Sequence, residues 1–90
     1  MVEQRGERQS LVVIYDTANG DIVHEHGCTS FPGAEHPDEQ ELEREALQYA
    51  SEAGHDMRRL SVLHGDPAFL SRNVEYAVDT RNRMLIEVHR

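Results

Sequence analysis

The first strong hydrophobic pattern in the chain is the uninterrupted apolar stretch LVVIY at positions 11–15. Its β-branched and aromatic side chains favour a strand, and the lack of polar alternation predicts that both faces of this strand are at least partly covered. Asn19 and Gly20 then stand between two apolar stretches, which predicts a hairpin because glycine accepts the positive φ that such turns need. The return strand is expected over 21–28.

A different pattern, with a period of three to four residues, follows the loop-forming segment FPGAEHP. Pro37 and Asp38 mark the start of a helix, and Asp38 with Glu41 forms a variant of the capping box. The predicted helix covers 38–53 and ends before Gly54. Its apolar stripe consists of Leu42, Ala46, Tyr49, Ala50 and Ala53, widened by Leu47.

The remaining chain predicts a strand over 60–64, a short helical turn at Asp66 and Pro67, and a second hairpin. The return strand of this hairpin is expected over 84–88. The turn DTRN of the second hairpin repeats the DTAN of the first. Because Asp, Thr and Asn are common turn formers, we interpret this repeat as shared turn chemistry rather than as a duplicated unit.

The predicted element order is β-β-α-β-β-β, which indicates an α+β fold. We expect a small, mostly antiparallel sheet of four to five strands with one main helix packed on one face. Residues 1–10 are polar and are expected to form a flexible N-terminal tail, and residues 11–90 a single domain. The strand order stays open, because a strand that follows a helix can also pair in parallel with an earlier strand.

The charge of the chain is acidic and unevenly distributed. Its formal net charge is −8 over 90 residues. Residues 1–54 hold three Arg against twelve Asp and Glu, whereas residues 55–90 hold six Arg against five acids. Such a balance opposes nonspecific binding to nucleic acid. A single cysteine excludes an intramolecular disulfide, and the polar N-terminus has no apolar signal core, so a reduced, cytoplasmic setting is expected.

The stretch VHEHGC is the main candidate for chemistry, because His24, His26 and Cys28 alternate and would share one strand face with Ile22. Imidazole and thiolate both bind zinc and copper. A rise of about 3.3 Å per residue, however, separates His24 and Cys28 by about 13 Å on a regular strand. We therefore favour no metal and predict no cofactor.

The two histidines of this stretch are expected to be mildly pH-responsive instead. Asp21 and Glu25 are close in sequence, and nearby carboxylates favour the protonated form of imidazole.

No glycine-rich phosphate loop or nucleophile elbow is present, so no catalytic residues are assigned and no enzyme is expected. The leading hypothesis is a non-enzymatic interaction or structural protein that binds a protein partner, namely itself, as a homodimer or larger assembly. Neither nucleic acid nor membrane is expected as a partner. The interface is predicted near Tyr76, Met84 and Ile86. One alternative is a transition-metal module that uses the histidine strand, and another is a small Cys/His-dependent enzyme.

Overall fold

The computed structural model describes residues 8–71 and 74–88, and all structural statements below concern these residues. Three strands form one antiparallel sheet in the order β2-β1-β3, and two further strands form a separate antiparallel hairpin. The elements are β1 (Arg8–Asp16), β2 (Ile22–Ser30), α1 (Glu39–Glu52), β3 (Leu60–Gly65), β4 (Tyr76–Asp79) and β5 (Met84–Glu87), with short 3-10 turns at Met57–Arg59 and Pro67–Ser71.

The central strand β1 is buried on both faces, as its unbroken apolar run predicts. Each of its residues from Leu11 to Tyr15 is at most 4% exposed. Successive side chains of a strand point to opposite faces, so this run supplies two separate cores. Complete burial of one large aliphatic side chain contributes about 1.5–3 kcal/mol, so the five buried residues of β1 contribute substantially to the stability of the fold.

One face of β1 packs against the helix. Val12 and Ile14 contact the buried helical stripe, and together they form what we call the helix-side core. The stripe consists of Leu42, Ala46 and Ala50, which are spaced four residues apart along one side of α1. The predicted packing of a single helix across one face of the sheet is thus confirmed.

The other face of β1 packs against the hairpin β4–β5. Leu11, Val13 and Tyr15 contact Val78 and Leu85, and these five residues form the hairpin-side core. The predicted single sheet of four to five strands is therefore wrong in detail, since the strands divide into a group of three and a group of two. The hairpin covers a sheet face instead of extending the sheet, because β1 has a second apolar face to bury.

Local signals in the sequence locate the ends of the helix correctly. Asp38 caps α1 and accepts a hydrogen bond from the backbone N–H of Glu41 at 2.8 Å, while the Glu41 side chain accepts from the backbone N–H of Asp38. Ala53 is the C-terminal cap, and Gly54 follows with φ of 92°. The predicted stripe is too wide, because Tyr49 remains 54% exposed. None of the helices described is long and apolar enough to cross a bilayer.

Two strand features differ from the pattern-based expectation. Strand β1 begins at Arg8, so the expected tail 1–10 overlaps the strand at its last three residues, and residues 1–7 lie outside the described part. A bulge in β2 places Val23 and His24 together opposite Ile14. The bulge reverses the alternation, so that Ile22 packs on the hairpin-side core and not on the face that carries His24.

The repeated DTxN segments fold into the same five-residue turn. In the first hairpin the backbone N–H of Gly20 donates to the Asp16 carbonyl at 2.8 Å, and in the second the N–H of Arg83 donates to the Asp79 carbonyl at 2.7 Å. Gly20 has φ of 80° and Arg83 has φ of 56° at equivalent positions. The shared turn chemistry therefore includes a left-handed fifth residue, which glycine adopts freely and arginine does not.

Gly20 also joins the hairpin to the sheet. Its carbonyl accepts a hydrogen bond from the Val78 N–H at 2.9 Å. A methyl group added to its Cα would lie 2.0 Å from the Val78 carbonyl oxygen, which is backbone and cannot move aside easily.

These two turns give a matched test. Gly20→Ala is expected to lower the free energy of unfolding by more than about 2 kcal/mol, because it combines an unfavourable φ with a backbone clash. Arg83→Gly is expected to raise it by about 0.5–1 kcal/mol through relief of the left-handed conformation. Urea unfolding of both variants checks the prediction, and a shift of the same sign in the two would contradict it.

Candidate functional site at strand β2

Strand β2 forms one edge of the three-stranded sheet. Its inner edge pairs with β1 from Ser30 opposite Arg8 to Ile22 opposite Tyr15. No strand among residues 8–71 and 74–88 pairs with its outer edge. The strand therefore presents one sequence of side chains to the helix, another to the hairpin, and a row of backbone groups to its outer side.

The helix-facing side chains of β2 include all three of the predicted site residues. His24, His26 and Cys28 lie opposite Ile14, Val12 and Ser10 of β1, in that order. The two imidazole rings and the Tyr49 ring of α1 form a stacked group, with centroid separations of 5.5 to 6.0 Å. Cys28 is partly buried against the helix-side core.

Two histidine–carboxylate pairs tie the helix to both strands that flank β1. His26 of β2 contacts Glu45 at 3.0 Å, and His64 of β3 contacts Glu43 at 2.5 Å. Both histidines lie directly opposite Val12, so they belong to one row across the sheet. Partly exposed pairs of this kind contribute less than about 1 kcal/mol each, and their main effect is to fix the rotation of the helix over the row.

The face that carries His24, His26 and Cys28 does not converge on one point. Within the described ranges, no group of three or more His, Cys, Asp or Glu side chains is arranged to hold a metal ion. In that same part of the chain, no hydrogen bond joins the Cys28 thiol to an imidazole. The histidines of β2 are engaged with Tyr49 and Glu45 instead.

His24 behaves differently from the expectation that nearby acids would favour its protonation. Burial lowers its pKa below the usual value, and the proximity of His26 and His55 acts in the same direction. Glu25 opposes these effects but does not outweigh them. The reason is alternation: Glu25 lies opposite Val13 and therefore faces the hairpin, whereas His24 faces the helix. His24 Nε2 is buried with no hydrogen-bond partner in the described structure.

The first half of β2 also forms one wall of an open groove of about 920 Å³, to which residues of both strand faces contribute. Residues 74–77, which lead into and begin β4, form the opposite wall. The hydrogen bond from Val78 to Gly20 lies at one end of this groove, next to both walls. The lining residues are Asp21, Ile22, Val23, His24, Glu25, Val74, Glu75, Tyr76, Ala77 and Val88.

A polar side-chain contact crosses the groove. The Tyr76 hydroxyl of β4 lies close to the Glu25 carboxylate of β2. Burial raises the pKa of Tyr76 well above its usual range, and this contact and the negative charge of Glu25 raise it further. Tyr76 is therefore neutral at physiological pH.

The three predicted interface residues do not lie on one surface. Tyr76 packs against the hairpin-side core and stacks on Phe69, with ring centroids 5.1 Å apart. Met84 and Ile86 lie on the outer face of β5 and are 53% and 41% exposed. Only the latter two form part of an open surface.

A second polar cluster, which the sequence did not indicate, lies at the far end of β2. His36, in the loop before α1, contacts two serine hydroxyls: its Nε2 lies 2.8 Å from Ser10 Oγ and its Nδ1 lies 2.8 Å from Ser30 Oγ. The Ser30 hydroxyl donates to the Glu35 carbonyl at 3.4 Å. These residues come from β1, β2 and a loop, and their spacing of 26 and 6 positions matches no local motif.

No family model matches the chain, and neither a curated protein nor a solved structure shows significant similarity to it. The function is therefore inferred from the residues and geometry of the chain itself.

His24 provides a pH test. Its folded-state pKa lies below the unfolded value, so the unfolded state binds more protons and acidification through about pH 6.5 destabilises the fold. His24→Phe keeps an aromatic ring against Tyr49 and removes the unpaired nitrogen. This change is expected to raise the free energy of unfolding by about 1 kcal/mol at pH 8. The increase in the free energy of unfolding should be larger at pH 5.

Chemical unfolding at both pH values measures this difference. A His24→Phe gain that stays constant or shrinks toward pH 5 would show that His24 is not held neutral by burial.

Proposed function

We propose that the protein is a small interaction or assembly protein that self-associates through the outer edge of β2. Two copies would pair their β2 strands antiparallel around a twofold axis, joining two three-stranded sheets into one sheet of six. Identical strands that pair antiparallel satisfy such symmetry automatically, because each residue meets its partner reciprocally. The proposal rests on one observation, the length and openness of the β2 edge.

The β2 edge lacks most of the features that prevent strand addition. Natural edge strands are often short, or contain proline or lysine. Strand β2 spans nine residues and contains neither of these residue types. Its bulge lies at Val23, near the start, so the part from Glu25 to Ser30 continues in regular register. Backbone groups along a regular edge provide affinity in strand addition.

The opposite edge of the sheet is less suited to the same role. Strand β3 has six residues, and the Arg83 guanidinium donates to its Val62 carbonyl at 3.5 Å. A long side chain over this edge hinders the approach of another strand. Of the two sheet edges, β2 is therefore the better candidate.

The acidic net charge of the chain predicts that added salt strengthens self-association. Each copy carries a formal charge of −8, so two copies repel at long range. Strand β2 itself holds one carboxylate, Glu25, whereas α1 holds five of the twelve acids of residues 1–54. Screening at 0.15 M salt limits this repulsion to about 8 Å, so added salt is expected to favour association.

The test compares substitutions at Thr29, an exposed residue of β2, with one on the outer face of the second hairpin. Thr29→Lys is expected to reduce the measured mass from about twice the 10.3 kDa of one chain toward a single chain. Thr29→Val preserves strand propensity and should retain the dimer. Sedimentation equilibrium at several concentrations provides the masses.

Met84→Lys distinguishes the two candidate surfaces, because Met84 lies on β5 far from the β2 edge in the topology. It should leave the dimer intact. If Met84→Lys dissociates the dimer and Thr29→Lys does not, the interface lies on the outer face of the hairpin. A single-chain mass for the unmodified protein at high micromolar concentration would exclude self-association altogether.

A further inference from the structure

The Ser10–His36–Ser30 cluster has the connectivity of an activated hydroxyl. One imidazole nitrogen contacts a hydroxyl of β1 and the other contacts a hydroxyl of β2, each at 2.8 Å. Ser10 is partly exposed, whereas Ser30 is 8% exposed. A hydroxyl on a partly exposed residue, an imidazole and a buried second hydroxyl thus contact one another in sequence, at the end of the sheet opposite the groove.

The contacts of His36 are compatible with a tautomer that suits base catalysis. In the arrangement in which the Ser30 hydroxyl donates its one proton to the Glu35 carbonyl at 3.4 Å, Ser30 Oγ accepts from His36 at 2.8 Å and Nδ1 carries the imidazole proton. Nε2 of the neutral ring is then an acceptor, and the Ser10 hydroxyl donates to it. This is the tautomer that a general base requires next to a nucleophilic hydroxyl.

We propose that Ser10 is a nucleophile that His36 activates for acyl transfer from carboxylic esters. Ser10 Oγ forms a bond to the ester carbonyl carbon while its proton passes to His36 Nε2. The carbon–oxygen bond to the alcohol then breaks, and the alcohol leaves with the proton from Nε2. Water releases the acyl group from Ser10 by the same route, so that a carboxylic acid forms and the hydroxyl is restored.

Ser30 acts as a positioning residue in this scheme. It keeps the proton on Nδ1 and holds the ring plane, in the role that a carboxylate plays in other triads. A neutral hydroxyl stabilises the imidazolium less than a carboxylate does, so the expected reactivity is that of activated esters rather than amides. The cluster uses the side chain of Ser30, whereas the proposed edge contact uses the outer backbone of β2, so either proposal can fail without the other.

The test uses 4-nitrophenyl acetate with the intact chain, acid quenching and peptide mass spectrometry to locate the acetyl group. Acetylation of Ser10 should exceed that of Ser51, an exposed helical serine, by at least about 100-fold. Ser10→Ala should abolish the fast phase of 4-nitrophenolate release. His36→Gln should slow acetylation of Ser10 by about 100-fold or more, and Ser51→Ala should leave it unchanged.

Ser30→Ala separates activation from loop anchoring. The variant retains His36, and its rate of Ser10 acetylation should be about tenfold lower. Its urea midpoint, measured in parallel, shows whether the variant is still folded. The comparison of Ser10 with Ser51 uses the unmodified protein. It therefore tests the selective reactivity of Ser10 even if the His36→Gln variant does not fold. Equal acetylation of the two serines, or fast acetylation of Ser10 in folded His36→Gln, would overturn the proposal and leave His36 as a loop anchor.

Discussion

Burial of both faces of β1 is the constraint on which the rest of the structure depends. A strand with the sequence LVVIY has no polar face, so a single covering layer leaves half of its apolar surface in water. The chain meets this requirement with α1 on one side and the hairpin β4–β5 on the other. Neither layer has a core of its own, and loss of either exposes β1. The helix, the sheet and the hairpin are therefore expected to unfold together.

The same constraint explains where open surfaces occur. Strands β2 and β3 flank β1, and each has one outer edge without a strand partner in the described structure. The hairpin covers the β1 face, and a backbone hydrogen bond from Val78 to Gly20 joins β4 to the turn before β2. The groove between residues 74–77 and the first half of β2 lies next to this contact. The long edge and the groove are thus consequences of covering a sheet with a hairpin.

Local chemistry made the helix and the turns predictable from the sequence. The N-terminal cap at Asp38, the helix end at Ala53 and Gly54, and the positive φ of Gly20 each depend on residues within four positions of each other. The division into two sheets was not predictable, because the apolar pattern of the second hairpin is compatible with two positions. The hairpin could extend the three-stranded sheet at an edge, or it could cover one face of that sheet. The alternation of the sequence also does not predict the bulge at Val23, which places Ile22 in the hairpin-side core.

The candidate sites show the same division between local and distant information. The shared face of His24, His26 and Cys28 follows from strand alternation, and the structure retains it. What these residues contact depends on a helix about twenty positions away, and the sequence contained no sign of the stack on Tyr49. Ser10 and His36 meet for a similar reason, because pairing of β1 with β2 brings the loop before α1 over the end of the sheet.

Amide hydrogen exchange of β1 and β2 at low and high protein concentration tests the central claim most directly. Double-sided burial predicts slow exchange throughout Leu11 to Tyr15 at every concentration. Pairing of the β2 edges predicts that alternate amides between Glu25 and Ser30 change from fast to slow exchange as concentration rises. Fast exchange in β1, or β2 amides whose exchange is independent of concentration, would contradict the account.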